Sequence, residues 1–359
     1  MTVPDTHQGN GIAPTRPKRI LLVSLPRTAS NLLLKILNIP AQPNVTTNEK
    51  GGYFFYPAFV DVARSGYTEM PPEKWTEVQK EEVRAIYQDC FDKLDNCAVE
   101  ANEAGKTIFM KEHASWLFCP ASFQKMVTGV HDEEFFNAFR VKMPESFGSP
   151  TYSLSNETIF SDEYLRSWQM VFIIRHPALA WPSYWRAMLK FSQEGILDNI
   201  GLQRTTVTSM AMRWPRVLYD WYMEQGTGVV PPPILDAYDL INNRDAVAEF
   251  CEKIGLDPNV LQFEWDAQQN SQNWASDKAK ASAGNDVEGG HIRAANIMLS
   301  TLTHSSGVVK DKTPMNVDID AELVKWKAEF GDEIAKSIET SVAESMPDYE
   351  YLKARRLLV

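Results

Sequence analysis

The chain has 359 residues, and 36 Lys and Arg stand against 47 Asp and Glu, a formal net charge of -11. A content of 44% hydrophobic and 23% charged residues is that of a globular protein and excludes wholesale disorder. The acidic balance disfavours a general nucleic-acid binder, which carries a basic surface, but leaves room for a local basic pocket. Cys90, Cys97, Cys119 and Cys251 form no C-x-x-C pair and no disulfide framework. They are expected to be buried or neutral thiols of a reducing compartment.

Residues 1–17 are polar, contain Pro and Gly, and hold no apolar stretch that could serve as a signal sequence. They read as a disordered tail. The apolar run 20–25 is far shorter than the ~20 residues a bilayer span needs. The expectation is a soluble, cytoplasmic protein with no membrane partner.

The first structured element is residues 19–25, a continuous apolar run closed by Pro26, as in a central parallel strand buried on both faces. After a tight loop, Leu32, Leu33, Leu34, Ile36 and Leu37 predict a buried helix ending near Pro40. Residues 44–72 read as loop. Their aromatics, Tyr53 to Tyr56 and Phe59, form either a core plug or a pocket wall. Residues 73–105 predict one long or two consecutive amphipathic helices, stopped at Gly105. Residues 107–113, 169–175 and 234–238 predict three further strands, and helices follow at Pro177 and at 244–254. Phe135, Phe136 and Phe139 read as one face of a helix. Residues 271–290 are expected to form a mobile loop, and 320–343 a final amphipathic helix.

Strands alternating with helices predict an α/β fold, a central parallel sheet covered on both sides. No repeat or composition break demands a second domain. The expected organisation is a single domain over 18–359, with a helical insert at about 73–105 and a variable C-terminal third.

In open parallel sheets ligands bind outside the carboxyl ends of the strands. Three strands end in polar residues: the first delivers Arg27, Thr28, Ala29, Ser30 and Asn31, the second Lys111, Glu112 and His113, the third Arg175 and His176. The first loop precedes a helix N-terminus, where free amides and the helix dipole hold anions. It lacks G-x-x-x-x-G-K-[ST], which disfavours an ordinary ATPase or GTPase. No His and Cys cluster has metal-ligand spacing.

These residues resemble the sulfotransferase family, P-loop-like proteins that use 3′-phosphoadenosine 5′-phosphosulfate (PAPS). The family's first loop reads P-K-S-G-T-T-W. Here Arg27 takes the lysine place, Thr28 the serine place, Ala29 the glycine place and Asn31 the second threonine place. A second match is Arg175, His176 and Pro177 after an apolar strand, with Ser183 eight residues on. In the family that arginine and serine grip the 3′-phosphate. A third is Lys111 and His113, in the places of the lysine that meets the transferring group and the histidine that acts as general base. Tyr238 and Asp239 before a helix ending in Gly255 and Leu256 also resemble a family segment.

The resemblance runs over about 19–256. The family's C-terminal R-K-G-x-x-G is absent, and Ser305, Ser306, Lys310 and Arg293 are candidates to replace it. Pro182 is a departure, expected to kink or delay its helix.

The resemblance implies a three-layer α/β/α fold and transfer of a sulfuryl group from PAPS to a hydroxyl or amine. His113, Lys111 and Arg27 would be catalytic. Arg27, Thr28, Ala29, Ser30, Asn31, Arg175 and Ser183 would bind PAPS, with no metal. Tyr53 to Tyr56, Trp116, Phe118, Trp181 and Trp185 suggest a small aromatic or apolar acceptor, although each reads equally as core. Two alternatives stand beside simple transfer: sulfate activation for elimination or cyclisation, and a non-catalytic binding protein on the same fold. A homo-oligomer is compatible with the sequence but not indicated by it.

Overall fold

A computed structural model describes residues 18–196, 198–226, 230–266, 286–310 and 313–358. Five strands, β1 (Arg19–Ser24), β2 (Val45–Thr46), β3 (Thr107–His113), β4 (Gln169–Ile174) and β5 (Ile234–Asp236), form one sheet in the order β2-β3-β1-β4-β5. Every pairing is parallel. The described helices are α1 (Ser30–Leu37), α2 (Tyr56–Arg64), α3 (Glu77–Glu103), α4 (Pro120–Thr128), α5 (Glu133–Asn137), α6 (Asp162–Arg166), α7 (Pro177–Gln193), α8 (Asn199–Ser209), α9 (Arg213–Met223), α10 (Ala237–Asn242), α11 (Arg244–Lys253), α12 (Asp286–Thr303), α13 (Ile319–Phe330) and α14 (Asp332–Lys353).

The continuous apolar runs follow from burial on both faces. Side chains alternate along a strand, so a covered sheet needs apolar residues at every position. Ile20, Leu22, Phe109, Val171, Ile173 and Leu235 point into one core with Leu33, Ile36 and Leu37 of α1 and Val247, Phe250 and Ile254 of the α11 region. Leu21, Val23, Ile108, Met110, Phe172 and Ile174 point into the other, against α2, α3, α7, α9 and α14. The result is the three-layer α/β/α arrangement.

Helix α3 is one helix, which settles the alternative left open by its sequence. A capping box between Thr76 and Gln79 starts it, and Gly105, at φ 66, takes the left-handed position just past its end. Its buried stripe of Val83, Tyr87, Cys90, Phe91, Leu94, Ala98 and Ala101 faces the larger core. All four cysteines are free, and burial pushes each thiol up from its ordinary range.

Several sequence expectations need correction. Residues 44–72 contain β2 and α2, so they are not simply loop. Strand β2 is two residues long and has no period to read, whereas α2 buries Ala58, Phe59, Val62 and Ala63 at helical spacing. The stretch 271–290 falls mostly outside the described residues, but its last five open α12. The final helix is two, broken at Gly331, whose φ of 81 ends α13. Pro182 does not delay α7, which begins at Pro177 and continues past it to Gln193.

The chain leaves β1 toward β2 and leaves β4 toward β5. The order therefore reverses between β1 and β4, the place where open α/β sheets form their crevice.

Candidate active site

The loop after β1 has an unusual backbone. Arg27 at φ 66 and Ala29 at φ 65 are both left-handed without being glycine. Such residues cost about 1–3 kcal/mol each and cluster at functional sites. Burial of Leu33, Ile36 and Leu37, worth about 1.5–3 kcal/mol per side chain, offsets that strain in the helix the loop leads into. The Thr28 hydroxyl turns inward and donates to the Leu25 carbonyl at 2.7 Å. Ser30 begins α1 and is buried.

Arg27 lies over the reversal point. Its Nε donates to Ser183 Oγ at 3.0 Å and its Nη1 to the Met298 carbonyl at 2.5 Å. Arg175, just past β4, donates from Nη1 to the Arg27 carbonyl at 3.0 Å and from Nη2 to Thr313 Oγ1 at 3.4 Å. The first loop, β4, α7 and the C-terminal third thus meet at two arginines. Burial lowers the pKa of both, and Arg175 is held at about 10, still charged near neutrality. His176 caps α7, its Nδ1 accepting the Ala178 N–H at 3.2 Å. Burial, helped by Lys353, pushes it down to about 4, so it stays an uncharged acceptor there.

The end of β3 is built differently. Register places Ser24 beside His113 and Leu22 beside Lys111. Ser24 Oγ donates to the Glu112 carbonyl at 3.1 Å and lies 2.9 Å from His113 Nδ1. A hydroxyl has one proton, and the carbonyl can only accept it. The proton between Ser24 and His113 therefore belongs to Nδ1, which leaves the Nε2 lone pair open. Burial, then the Lys111 charge, hold His113 well below its ordinary pKa. At neutral pH it is an uncharged base.

Lys111 is fully buried. Its Nζ touches the Tyr53 hydroxyl and lies 3.8 Å from the Tyr53 ring centroid, and that hydroxyl donates to Asn31 Oδ1 at 2.9 Å. Burial pushes Lys111 down to about 7, against the pull of Glu112. Glu112 Oε1 accepts the Phe54 N–H at 2.5 Å, while Oε2 has no partner among the described residues. Burial pushes its carboxyl up to about 8. The turn carrying Tyr53 is clamped to β3 by Lys111 N–H to the Gly51 carbonyl at 2.9 Å and Tyr53 N–H to the Lys111 carbonyl at 3.1 Å. Gly52 is required there, because a Cβ would lie 1.9 Å from the Lys111 carbonyl oxygen.

Beside His113 stands an aromatic wall. Trp116 meets the imidazole edge-on at 4.5 Å, and Tyr53, Tyr56 and Phe59 lie 5.6, 5.3 and 5.5 Å from Trp116. Phe55, Phe118 and Trp181 are fully buried, and Trp185 is buried in the same core.

The structure links Arg27, Ser183 and Arg175 in one set of contacts, and Asn31, Lys111 and His113 in another, joined through the loop. Ala29 supplies the left-handed turn rather than a side chain. Of the C-terminal candidates, Ser305 and Ser306 hold Trp265 through their carbonyls, at 2.7 and 3.0 Å, and Arg293 and Lys310 are exposed. Among the described residues of the C-terminal third, the Met298 carbonyl reaches Arg27 and Thr313 reaches Arg175. Among the described residues no three His, Cys, Asp or Glu side chains form a metal-binding group.

No protein-family model matches the chain. A curated protein named Sulfotransferase ppzF, from Metarhizium rileyi (strain RCEF 4871), is 34% identical over 355 residues, covering 96% of this chain and 97% of its own. The chain belongs to the sulfotransferase family. Sulfotransferase ppzF from Metarhizium majus (strain ARSEF 297) is likewise 34% identical over 355 residues, at 95% and 97% coverage. Among solved structures, the Sulfotransferase Domain from the Synechococcus PCC 7002 Olefin Synthase matches with a TM-score of 0.33 and 10% identity, covering 92% of this chain and 99% of that one. The likeness to the curated sulfotransferases extends past residue 256, into the C-terminal third where the motifs give out. No described helix of this sulfotransferase is long and apolar enough to cross a membrane.

Ser24, Met298 and Thr313 do not stand out in the sequence as site residues, and Glu112 and Tyr53 are legible there only as a strand-end residue and a pocket-wall or core aromatic, without the contacts to Phe54 and Lys111. A signal existed for Ser24: it ends β1 as His113 ends β3, and parallel register lines up strand ends.

Proposed function

We propose that this sulfotransferase moves a sulfuryl group from PAPS to a hydroxyl or amine of a small aromatic or apolar acceptor. The observation that carries the reading is His113: Nδ1 is engaged by Ser24, no described group bonds Nε2, and the ring is uncharged, two residues along β3 from Lys111 and beside an aromatic wall. That is the arrangement of a general base next to an apolar subsite.

In this reading His113 Nε2 takes the proton of the acceptor as the oxygen or nitrogen attacks sulfur in line. The new bond to sulfur forms as the bond from sulfur to the bridging phosphate oxygen breaks, and adenosine 3′,5′-bisphosphate leaves. Arg27, Lys111 and the amides at the start of α1 meet the charge that grows on that oxygen. Donors positioned before the reaction cost no reorganisation when the charge appears. Arg175 and Ser183 hold the 3′-phosphate, for which a guanidinium fork and a hydroxyl are suited. The strained turn at Arg27 and Ala29 shapes the loop for close approach of the 5′-phosphosulfate.

The test is to incubate the purified protein with PAPS and a panel of phenols, aryl amines and apolar alcohols. The expected result is release of adenosine 3′,5′-bisphosphate together with a product heavier by one SO3 unit. Failure of the protein to bind the nucleotide would overturn the reading. A PAPS-dependent product lacking sulfate would replace transfer with elimination or cyclisation.

A further inference from the structure

We infer that Arg186 is a further donor-binding residue, and that Glu329 on α13 holds its guanidinium until the donor's phosphate takes that place. The inference rests on the reading that the site accepts PAPS.

Its first support is position. Ser183 and Arg186 are three residues apart on α7, so they share a face of the helix. Ser183 Oγ touches Arg27, and the Arg27 carbonyl touches Arg175. The charge of Arg186 lowers the pKa of both these arginines, as expected of three like charges in one patch. A chain of net charge -11 gathers three guanidinium groups here at an electrostatic cost. A polyanionic ligand relieves it.

The second support is how the protein's own oxygens meet the arginines. Each is approached by an oxygen from the C-terminal third. Arg27 donates to the Met298 carbonyl, Arg175 to the Thr313 hydroxyl, and Arg186 to the Glu329 carboxylate, from Nε to Oε1 at 2.5 Å and from Nη2 to Oε2 at 2.6 Å. The fork of two parallel bonds on Glu329 is the geometry Arg uses for phosphate. Arg186 and Glu329 are 49% and 38% exposed, so the pair is of the weakly stabilising kind that exchanges partners at little cost.

Charge counting points the same way. A phosphomonoester carries about -1.5 to -2 near neutral pH. The phosphate and sulfate of the phosphosulfate add one each, so PAPS brings nearly four negative charges. Arg27 and Arg175 supply two positive charges, and Lys111, pushed down to about 7, supplies only part of a third. Arg186 completes the set.

The two variants have effects of opposite sign. Adenosine 3′,5′-bisphosphate is titrated calorimetrically into the full-length protein and its variants at low and moderate salt. Arg186→Ala is expected to weaken binding ~10-fold, and Glu329→Gln to tighten it ~3-fold, since it removes a competitor for the fork. In the double variant Glu329→Gln is expected to add nothing. If both single variants weaken binding alike, the pair is a structural brace and the inference is overturned. Unchanged affinity in both, with the wild-type protein binding, overturns this inference alone. No binding by the wild-type protein overturns the PAPS reading as well. Should Arg186→Ala fail to fold, the sign of the Glu329→Gln effect still decides.

Discussion

At the end of β3, Lys111, Glu112 and His113 are buried, and burial drives each toward its uncharged form. Across β1, in the first loop and at the end of β4, Arg27 and Arg175 remain charged although both are largely enclosed. The side-chain types explain the contrast. Lysine, glutamate and histidine can escape burial by changing protonation, whereas a guanidinium stays charged near neutral pH. One bank of the site is thus made of groups able to exchange protons and the other of groups able only to hold charge. This division is what a transfer reaction between a neutral acceptor and a polyanionic donor calls for.

The sharpest way to break the comparison is to remove one member of each bank. His113→Ala is expected to lower turnover by about 10²–10⁴-fold, the usual worth of a general base, while calorimetric affinity for adenosine 3′,5′-bisphosphate stays unchanged. Arg175→Ala is expected to do the reverse. Loss of a hydrogen bond to a charged partner, about 1.5–3 kcal/mol, weakens nucleotide binding roughly 10- to 150-fold and leaves turnover at saturating donor closer to normal. If both variants lose turnover and affinity in the same proportion, the two banks are not separate in function.

Protonation offers a second test. Lys111 is charged below about 7 and loses its charge as the pH rises through that value. The expected kcat/KM for donor therefore falls on the alkaline side from about 7, by up to tenfold per pH unit. In kcat the limb moves upward, because the bound anion favours the charged amine. Lys111→Arg keeps the charge at all accessible pH and should abolish the limb, at whatever activity remains. Burial holds His113 neutral well below 6.5, so no acid limb near 6.5 is expected from it. An acid limb at 6.5 that disappears in His113→Ala would show that the ring is not shielded as this geometry requires.

The two banks also differ in how far they could be read from the sequence. Arg27, Lys111, His113 and Arg175 follow apolar runs whose burial on both faces is unmistakable, so their place at strand ends is legible without coordinates. Ser183 follows from its fixed distance to Arg175. Strands β1, β3 and β4 end within one residue of expectation for the same reason. What escapes depends on register or on contacts distant in the chain. Glu112 is legible as a polar strand-end residue, but its partner is not until β3 is seen to carry the 53–55 turn, whose Phe54 amide it binds. Met298, Thr313 and Glu329 lie more than 130 residues from the arginines they meet, and no local pattern announces them. The break between α13 and α14 was legible in Gly331 and was masked by apolar periodicity on both sides.

The smallest expected effect concerns Ser24, which acts through His113. Its hydroxyl donates a hydrogen bond to the Glu112 carbonyl and accepts one from Nδ1–H. Ser24→Ala removes that acceptor and leaves only the backbone of residue 24 to meet the ring, so the tautomer that leaves Nε2 free to act as base is less favoured. A single net hydrogen bond is worth about 0.5–1.5 kcal/mol, so the expected loss is roughly 2- to 12-fold in kcat with donor KM unchanged. Ser24→Thr keeps the hydroxyl and should restore most of the rate. The tautomer itself is the decisive readout: nitrogen-15 shifts of His113 should show Nδ1–H in the wild-type protein and in Ser24→Thr, and a mixture in Ser24→Ala. If the rate falls while the tautomer stays the same, Ser24 supports packing at the strand ends and does not position the base.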